Sequence, residues 1–279
     1  MIKMKILIDT SVLISGSILW EYSDENKNFL LKHKFFSRCN LFFNFLKMNN
    51  ELEFGIITKT VEDEAKNALN QAVIRTLQEQ ERRIPNFVKK LKMMVIQYII
   101  TNESLDRLEK IVEECSIRIP IDTKKRDEIK VNEVEPFLKE LVKNTVRYIQ
   151  PPIPGFIKGK DSRAELTDIM LRSLPITGIV YKGMPGDRDL TLMAEATFVY
   201  RRYDGKEKIY IASMDNNFKP NPRQIGSFLS GYMSYSGVDS TVRDKLAEKF
   251  GFIGEEPYEL MNKLKAELPS AKFPEQLTK

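Results

Sequence analysis

Four acidic residues are spaced so that carboxylates from different parts of the chain could meet: Asp9, Glu64, Asp189 and Asp215. Carboxylate oxygens are the hard ligands that Mg²⁺ and Mn²⁺ prefer. Two such ions about 4 Å apart can activate water and stabilise the leaving oxygen when a phosphodiester is hydrolysed. Grouped acids without metal would repel each other. The four acids therefore indicate a site for Mg²⁺ or Mn²⁺.

Several other chemistries are excluded or disfavoured. His33 is the only histidine, so mechanisms that require two histidines cannot operate within the chain. It lies between two lysines in a helix-like segment without a nucleophile motif, which disfavours a Ser-His-Asp triad. No GxxxxGK[ST] run is present, which excludes a P-loop nucleotide hydrolase. A haloacid-dehalogenase-like phosphatase needs an aspartate two residues after its first, where this chain has Ser11.

Two of the acids follow predicted strands. The apolar run Lys5–Ile8 is typical of a strand that is buried on both faces, and Asp9 comes next. Lys208–Ser213 is a second apolar run, and Asp215 follows it closely. Ligands of parallel α/β sheets bind outside the carboxyl ends of the strands. We therefore expect Asp9 and Asp215 at one edge of the sheet.

The other two acids belong to predicted helices. A strand over Leu52–Ile57 is followed by a helix that carries Glu64, capped by Thr58 or Thr60. Asp189 opens another helix, whose closely packed face is predicted from its small and apolar residues Leu192, Ala194, Ala196 and Val199.

Alternating strands and helices predict an α/β fold with a mainly parallel sheet. We expect one domain over residues 1–225 with a helical insertion at about 70–180, and a C-terminal helical extension over 226–279. The predicted helices outside the acidic blocks cover residues 28–48, 91–100, 105–112, 134–148, 242–250 and 257–268.

Four blocks resemble the PIN-domain family of metal-dependent nucleases, in the family's order. The first block is a strand that ends in an acid (residues 6–11), and the second is a strand end followed by a helix that carries a glutamate (58–64). The third is an aspartate that opens an alanine-rich helix (189–196), and the fourth is a strand that ends in Ser-x-Asp (211–218). The resemblance covers under a third of the chain. It implies a three-layer α/β/α sandwich, a divalent metal and cleavage of RNA or another nucleic acid.

The resemblance also implies roles for individual residues. Asp9, Asp189 and Asp215 would bind the metal, and Glu64 would bind it directly or through water. Thr10 and Ser213 would be supporting hydroxyls.

Alternatives remain at each acid. Asp187 competes with Asp189 for the third position, although the spacing to the alanines of the helix favours Asp189. Glu62 and Asp63 flank Glu64, which is preferred because it follows Val61 by three residues and so lies near the sheet-facing side. Any of the acids could instead be an ordinary capping, turn or solvated residue.

Charge distribution gives a weaker indication of a partner. The net charge is +5, and the basic surplus falls between residues 66 and 186. Such a segment suits an anionic partner such as RNA, although solvated helix faces would look the same. Candidate phosphate-binding residues are Lys124, Lys125, Arg126, Lys158, Lys160 and Arg188. The compact toxin-like members of the family lack such an insertion, so a simple toxin ribonuclease is not expected.

Two cysteines make neither a disulfide framework nor a zinc site, so we expect a cytoplasmic protein. No apolar run is long enough for a membrane span, and the first apolar run stops at Asp9 as a strand would.

The acidic residues and the family resemblance together favour a metal-dependent endoribonuclease over a nuclease for DNA. The alternative is a catalytically inactive PIN-like module that binds RNA or protein. A homo-oligomer and an inhibitory protein partner remain open.

Overall fold

The computed structural model describes residues 4–17, 29–82, 102–115, 117–140, 186–214 and 237–275. The predicted helix at 91–100, the lysines at 158 and 160, and Asp215 lie outside these residues. No helix in the described ranges is long and apolar enough to cross a membrane.

Strands and helices alternate along the described chain. The strands are β1 (Met4–Ile8), β2 (Gly55–Ile57), β3 (Ile117–Arg118), β4 (Lys208–Ala212) and β5 (Phe252–Glu255). The helices are α1 (Thr10–Ser17), α2 (Phe29–Met48), α3 (Lys59–Arg82), α4 (Asn102–Cys115), α5 (Thr123–Ile129), α6 (Asp187–Arg202), α7 (Gly237–Phe250) and α8 (Pro257–Glu267). A π-helical turn, Lys130–Val134, continues α5.

The strands form one five-stranded parallel sheet in the order β3-β2-β1-β4-β5. In the β1–β2 pair, Ile6 lies opposite Gly55 and Leu7 opposite Ile56. Every residue of β1, the central strand, is buried, as expected for a strand covered on both faces. The predicted α/β fold with a parallel sheet is therefore confirmed.

Two strands were not predicted. β3 lies in the segment expected to be a helical insertion, and β5 lies in the expected C-terminal helical extension. β3 has two residues, and β5 has four with a glycine among them, so neither contains a run long enough to show the period of a strand. Both lie at the edges of the sheet, where pairing with an already formed neighbour determines the conformation.

The chain is organised as two compact units, and each is assembled from separate stretches of sequence. The first comprises Met1–Pro120, Ala212–Met214 and Glu255–Lys279; the second comprises Ile121–Ile211 and Asp215–Gly254.

In the first unit, α1 packs against α2, α3 and α4. Gly16 makes the approach to α2 possible, because a Cβ there would lie 2.3 Å from Cε2 of Phe43.

The chain after α8 returns to the end of α2. The side-chain amide of Asn49 donates to the backbone oxygen of Lys272 and accepts from its N–H, and Phe273 stacks on Phe45.

The second unit is built around α6. As predicted, Leu192, Ala194, Ala196 and Val199 are all buried. The guanidinium of Arg201 binds both carboxylate oxygens of Glu133 in the π-helical turn. This hydrogen bond holds the pKa of Glu133 below its ordinary value.

Candidate active site

Asp9 lies at the carboxyl end of the central strand and is the N-cap of α1. Its backbone oxygen accepts from the N–H groups of Val12 and Leu13, and its Oδ2 accepts from the N–H of Ser11 at 3.3 Å. The side chain is largely buried, with 7% of the residue exposed. The positive end of the helix dipole favours a charged carboxylate at this position. Asp9 is thus a fixed carboxylate at the sheet edge where parallel α/β folds bind ligands.

Two serine hydroxyls bind the same oxygen of Asp9. Ser213 Oγ donates to Asp9 Oδ2 at 2.7 Å, and Ser11 Oγ donates to it as well. The two hydroxyl oxygens are 3.4 Å apart. Because Ser213 is buried and follows β4, its hydrogen bond joins the ends of β1 and β4 at the carboxylate.

Backbone hydrogen bonds join the ends of three strands at this place. The N–H of Asp9 donates to the oxygen of Ala212 at 3.0 Å, and the N–H of Ser213 donates to the oxygen of Glu255, also at 3.0 Å. The residues after β1 and β4 are therefore held at one edge together with the end of β5. This arrangement limits how far the side chains of Asp9 and Ser213 can move.

Glu64 reaches the same place from α3. Thr10 Oγ1 donates to Glu64 Oε2 at 2.9 Å, and Thr10 is the chain neighbour of Asp9. Thr58 directly precedes α3, and its hydroxyl accepts from the N–H of Val61 at 3.3 Å, so the predicted cap is observed. Glu64 is half-buried, and its hydrogen bond puts a second carboxylate beside the first block.

The two acids that flank Glu64 face elsewhere. Glu62 is buried and contacts Lys66 at 3.0 Å and Arg118 of the edge strand β3 at 3.1 Å. Asp63 is exposed and pairs with Lys59 at 2.8 Å. Of the three acids in this block, Glu64 is the one with a hydrogen bond to the residue next to Asp9.

Asp187 and Asp189 begin α6 in the second compact unit. Asp189 is the third residue of the helix, and its Oδ2 accepts from the N–H of Gly186 at 2.9 Å, which caps the helix start. Asp187 is exposed and pairs with Lys130. Asp189 thus has the capping role that one alternative gave it, whereas Asp187 forms an ion pair with Lys130.

Glu195 was not singled out by sequence, although it belongs to the third block. It is 1% exposed, and its Oε1 lies 3.4 Å from a guanidinium nitrogen of Arg126. Arg126 also pairs with Asp127 at 2.9 Å. The Arg126 guanidinium thus forms ion pairs within the second unit.

Within the ranges that the structure describes, no group of three or more His, Cys, Asp or Glu side chains is arranged to hold a metal ion. Of the predicted acids, Asp9 accepts from the hydroxyls of Ser11 and Ser213, and Glu64 accepts from the hydroxyl of Thr10, the chain neighbour of Asp9. Asp215, the fourth predicted acid, lies outside the described residues. Met214, which precedes it in the sequence, is held by its N–H on Ser11 Oγ at 3.0 Å.

Comparison with known proteins adds no relative. No protein-family model matches the chain, and no curated protein or solved structure matches it. Any functional assignment therefore depends on the residues and contacts described above.

Proposed function

We propose that this chain is a divalent-metal-dependent nuclease whose acidic site lies at the carboxyl edge of the parallel sheet. The observation that carries the proposal is the hydrogen bond that holds the Glu64 carboxylate against Thr10, the residue that follows Asp9. Asp9 follows the central strand, and Glu64 is hydrogen-bonded through Oε2 to the neighbouring Thr10 at 2.9 Å. The five-stranded parallel sheet supports a PIN-like, three-layer α/β/α arrangement of the domain.

The chemistry of the donor set fits Mg²⁺ or Mn²⁺. All the side chains that meet at this edge offer oxygen, as these hard ions require. Asp9 and Glu64 would hold the metal, while Thr10 and Ser213 would support them. A bound ion would supply a lowered pKa for its water and Lewis-acid stabilisation of the phosphate.

The protein itself contributes orientation and a favourable field. The hydroxyl of Ser213 fixes one oxygen of Asp9, and the hydroxyl of Thr10 fixes one oxygen of Glu64. The α1 N-terminus stabilises the negative charge that a metal ligand must keep. Partners that orient metal ligands in this way commonly change metal affinity or activity by about 10–100-fold when removed.

RNA is the proposed substrate, with DNA the less favoured one. Phosphate contacts would come from basic residues between α4 and α6 and at the start of α6. Lys124 and Lys125 are described in α5 and Arg188 in α6, while the lysines at 158 and 160 lie outside the described residues. Such contacts give affinity that falls with salt and little choice of sequence.

Cleavage of end-labelled single-stranded RNA, with Mn²⁺ or with EDTA, tests the proposal. Wild type should cut only with metal, and Asp9→Asn, Glu64→Gln and Asp215→Asn should each lose the activity. Asp63→Asn is the matched control, because it removes a neighbouring exposed charge that pairs with Lys59. Cutting that survives all three site substitutions would show a contaminant or a misplaced site.

A catalytically inactive binding module is the second candidate. The observation that favours it is that Asp9 and Asp189 both accept hydrogen bonds that begin helices, a role that needs no metal. A binding module would bind RNA in a gel-shift assay but leave it intact with Mg²⁺ and with Mn²⁺. Running the gel-shift assay and the cleavage assay on the same protein preparation distinguishes the nuclease from the inactive binding module.

A further inference from the structure

The Ser11 hydroxyl connects two parts of the chain that are 203 positions apart in sequence. It donates to Asp9 Oδ2 and accepts from the backbone N–H of Met214 at 3.0 Å. A serine hydroxyl has one hydrogen to donate and lone pairs to accept, so both bonds can exist at once.

This double contact fixes the chain as it leaves β4. The N–H of Ser213 is held by the oxygen of Glu255, and the N–H of the next residue, Met214, is held by Ser11. The Ser213 side chain meanwhile returns to Asp9 Oδ2 at 2.7 Å. One carboxylate oxygen is thus bound by a hydroxyl from the first turn of α1 and by a hydroxyl that follows β4. The other end of the Ser11 contact restrains the backbone immediately before Asp215.

We propose that Ser11 is a positioning residue for the acidic site. It sets the rotation of the Asp9 carboxylate and holds the backbone at the exit of β4 against it. The Ser213 hydroxyl binds the Asp9 carboxylate, whereas the Ser11 hydroxyl binds both this carboxylate and the backbone N–H of Met214. The inference rests on the proposed nuclease function, and it assigns Ser11 no direct contact with substrate.

The test compares wild type with Ser11→Ala and Ser11→Thr in the full chain. Ser15→Ala is the matched control, because Ser15 lies further along α1 and its hydroxyl bonds to Cys39. The measurements are kcat and KM on single-stranded RNA, Mn²⁺ affinity by calorimetry, and exchange of the Met214 amide by NMR. Urea unfolding of each variant shows whether the fold is retained.

For Ser11→Ala we expect kcat to fall about 10–100-fold, with KM changed less than about threefold, and Mn²⁺ affinity to fall about tenfold. Exchange of the Met214 amide should accelerate, because its acceptor is gone. Ser11→Thr keeps the hydroxyl and should restore all three values to within about threefold of wild type. Ser15→Ala should leave them unchanged.

Different failures have different meanings. If wild type binds Mn²⁺ and cuts RNA but Ser11→Ala does so equally well, the positioning role is wrong and the nuclease function stands. If kcat falls equally in Ser11→Ala and Ser15→Ala, the effect is general loss of α1 stability and the inference is overturned. If wild type neither binds Mn²⁺ nor cuts, the proposed function is wrong, and the positioning role fails with it.

Discussion

Thr10 Oγ1 lies 2.9 Å from Glu64 Oε2, so the first residue of α1 is hydrogen-bonded to a glutamate on α3. The contact spans 54 positions in sequence and joins the first and second acidic blocks. Because Thr10 follows Asp9 directly, this bond sets where the Glu64 carboxylate can lie relative to the end of β1. The arrangement of the two carboxylates therefore depends on a hydroxyl that is not itself an acid.

Thr10→Val removes this hydroxyl with little change in shape. We expect kcat/KM for RNA to fall about 10–100-fold, because Glu64 loses its orientation. The free energy of unfolding should fall by about 1 kcal/mol, since Glu64 is partly exposed and water replaces part of the lost bond. Kinetics and urea unfolding give the two quantities.

Thr197→Val is the control for Thr10→Val. The Thr197 hydroxyl is buried in α6 and donates to the backbone oxygen of Met193 at 2.9 Å. Its loss should change stability alone. Equal cleavage by wild type and Thr10→Val would contradict a functional role for the Thr10–Glu64 contact.

Gly16→Ala should destabilise the protein by about 1–3 kcal/mol, because the new Cβ would lie 2.3 Å from Cε2 of Phe43. The direction of the change in the free energy of unfolding is informative, since replacing glycine by alanine inside a helix otherwise stabilises a protein by roughly 0.5–1 kcal/mol. Urea unfolding measures the change. Adding Phe43→Leu should recover part of the loss by making room, and a Gly16→Ala protein more stable than wild type would disprove the close contact.

The Glu133–Arg201 pair predicts a pH dependence of stability. Hydrogen bonding from Arg201 lowers the pKa of Glu133 from the ordinary 4.5 in the folded state. The stabilisation is therefore fully present above pH 4.5 and is lost as the pH falls through the lower, folded pKa. Because both side chains are more than a third exposed, we expect only about 0.5 kcal/mol.

Urea unfolding of wild type and Glu133→Gln at pH 7 and at pH 3 checks this dependence. The difference between the two proteins should be present at pH 7 and should shrink at pH 3. Arg201→Leu should remove the same contribution, with little further loss in the double variant. A difference that grew as the pH fell would contradict the assignment.

The two cysteines should be inert in the folded protein. Burial raises the pKa of Cys115 to about 11 and raises that of Cys39 further. Thiolate is the reactive form, and roughly one thousandth of Cys115 is ionised at pH 8. A thiol reagent at pH 8 should react with neither in native protein and with both after denaturation. Fast reaction of either thiol in native protein would contradict this burial.

Part of the fold and of the site could be predicted from local sequence. The apolar run before Asp9 predicted β1, and the buried face of α6 followed from its spacing of small residues. β3 and β5 could not be predicted, because such short strands depend on pairing with a sheet already formed. Their neighbours in sequence are helical, which obscures them further.

The contacts around Asp9 were less predictable for a similar reason. Ser11 meets Met214 across 203 positions, and Glu62 meets Arg118 across 56, so no local pattern reports either contact. Helical periodicity favours Glu64 over Glu62 as the site residue. It does not predict that Glu62 is buried and paired with Lys66 of α3 and Arg118 of β3. Helical spacing indicates which side of a helix faces inward, but it does not identify the partners there.

Calorimetric titration of Mn²⁺ into wild type, Asp9→Asn and Asp63→Asn tests the metal site most directly. Asparagine is as good an N-cap as aspartate, so Asp9→Asn should keep α1 while removing the charge. We predict saturable binding by wild type and Asp63→Asn, and binding at least about 100-fold weaker by Asp9→Asn. No saturable binding by wild type, or equal binding by Asp9→Asn, would contradict a metal site at the end of β1.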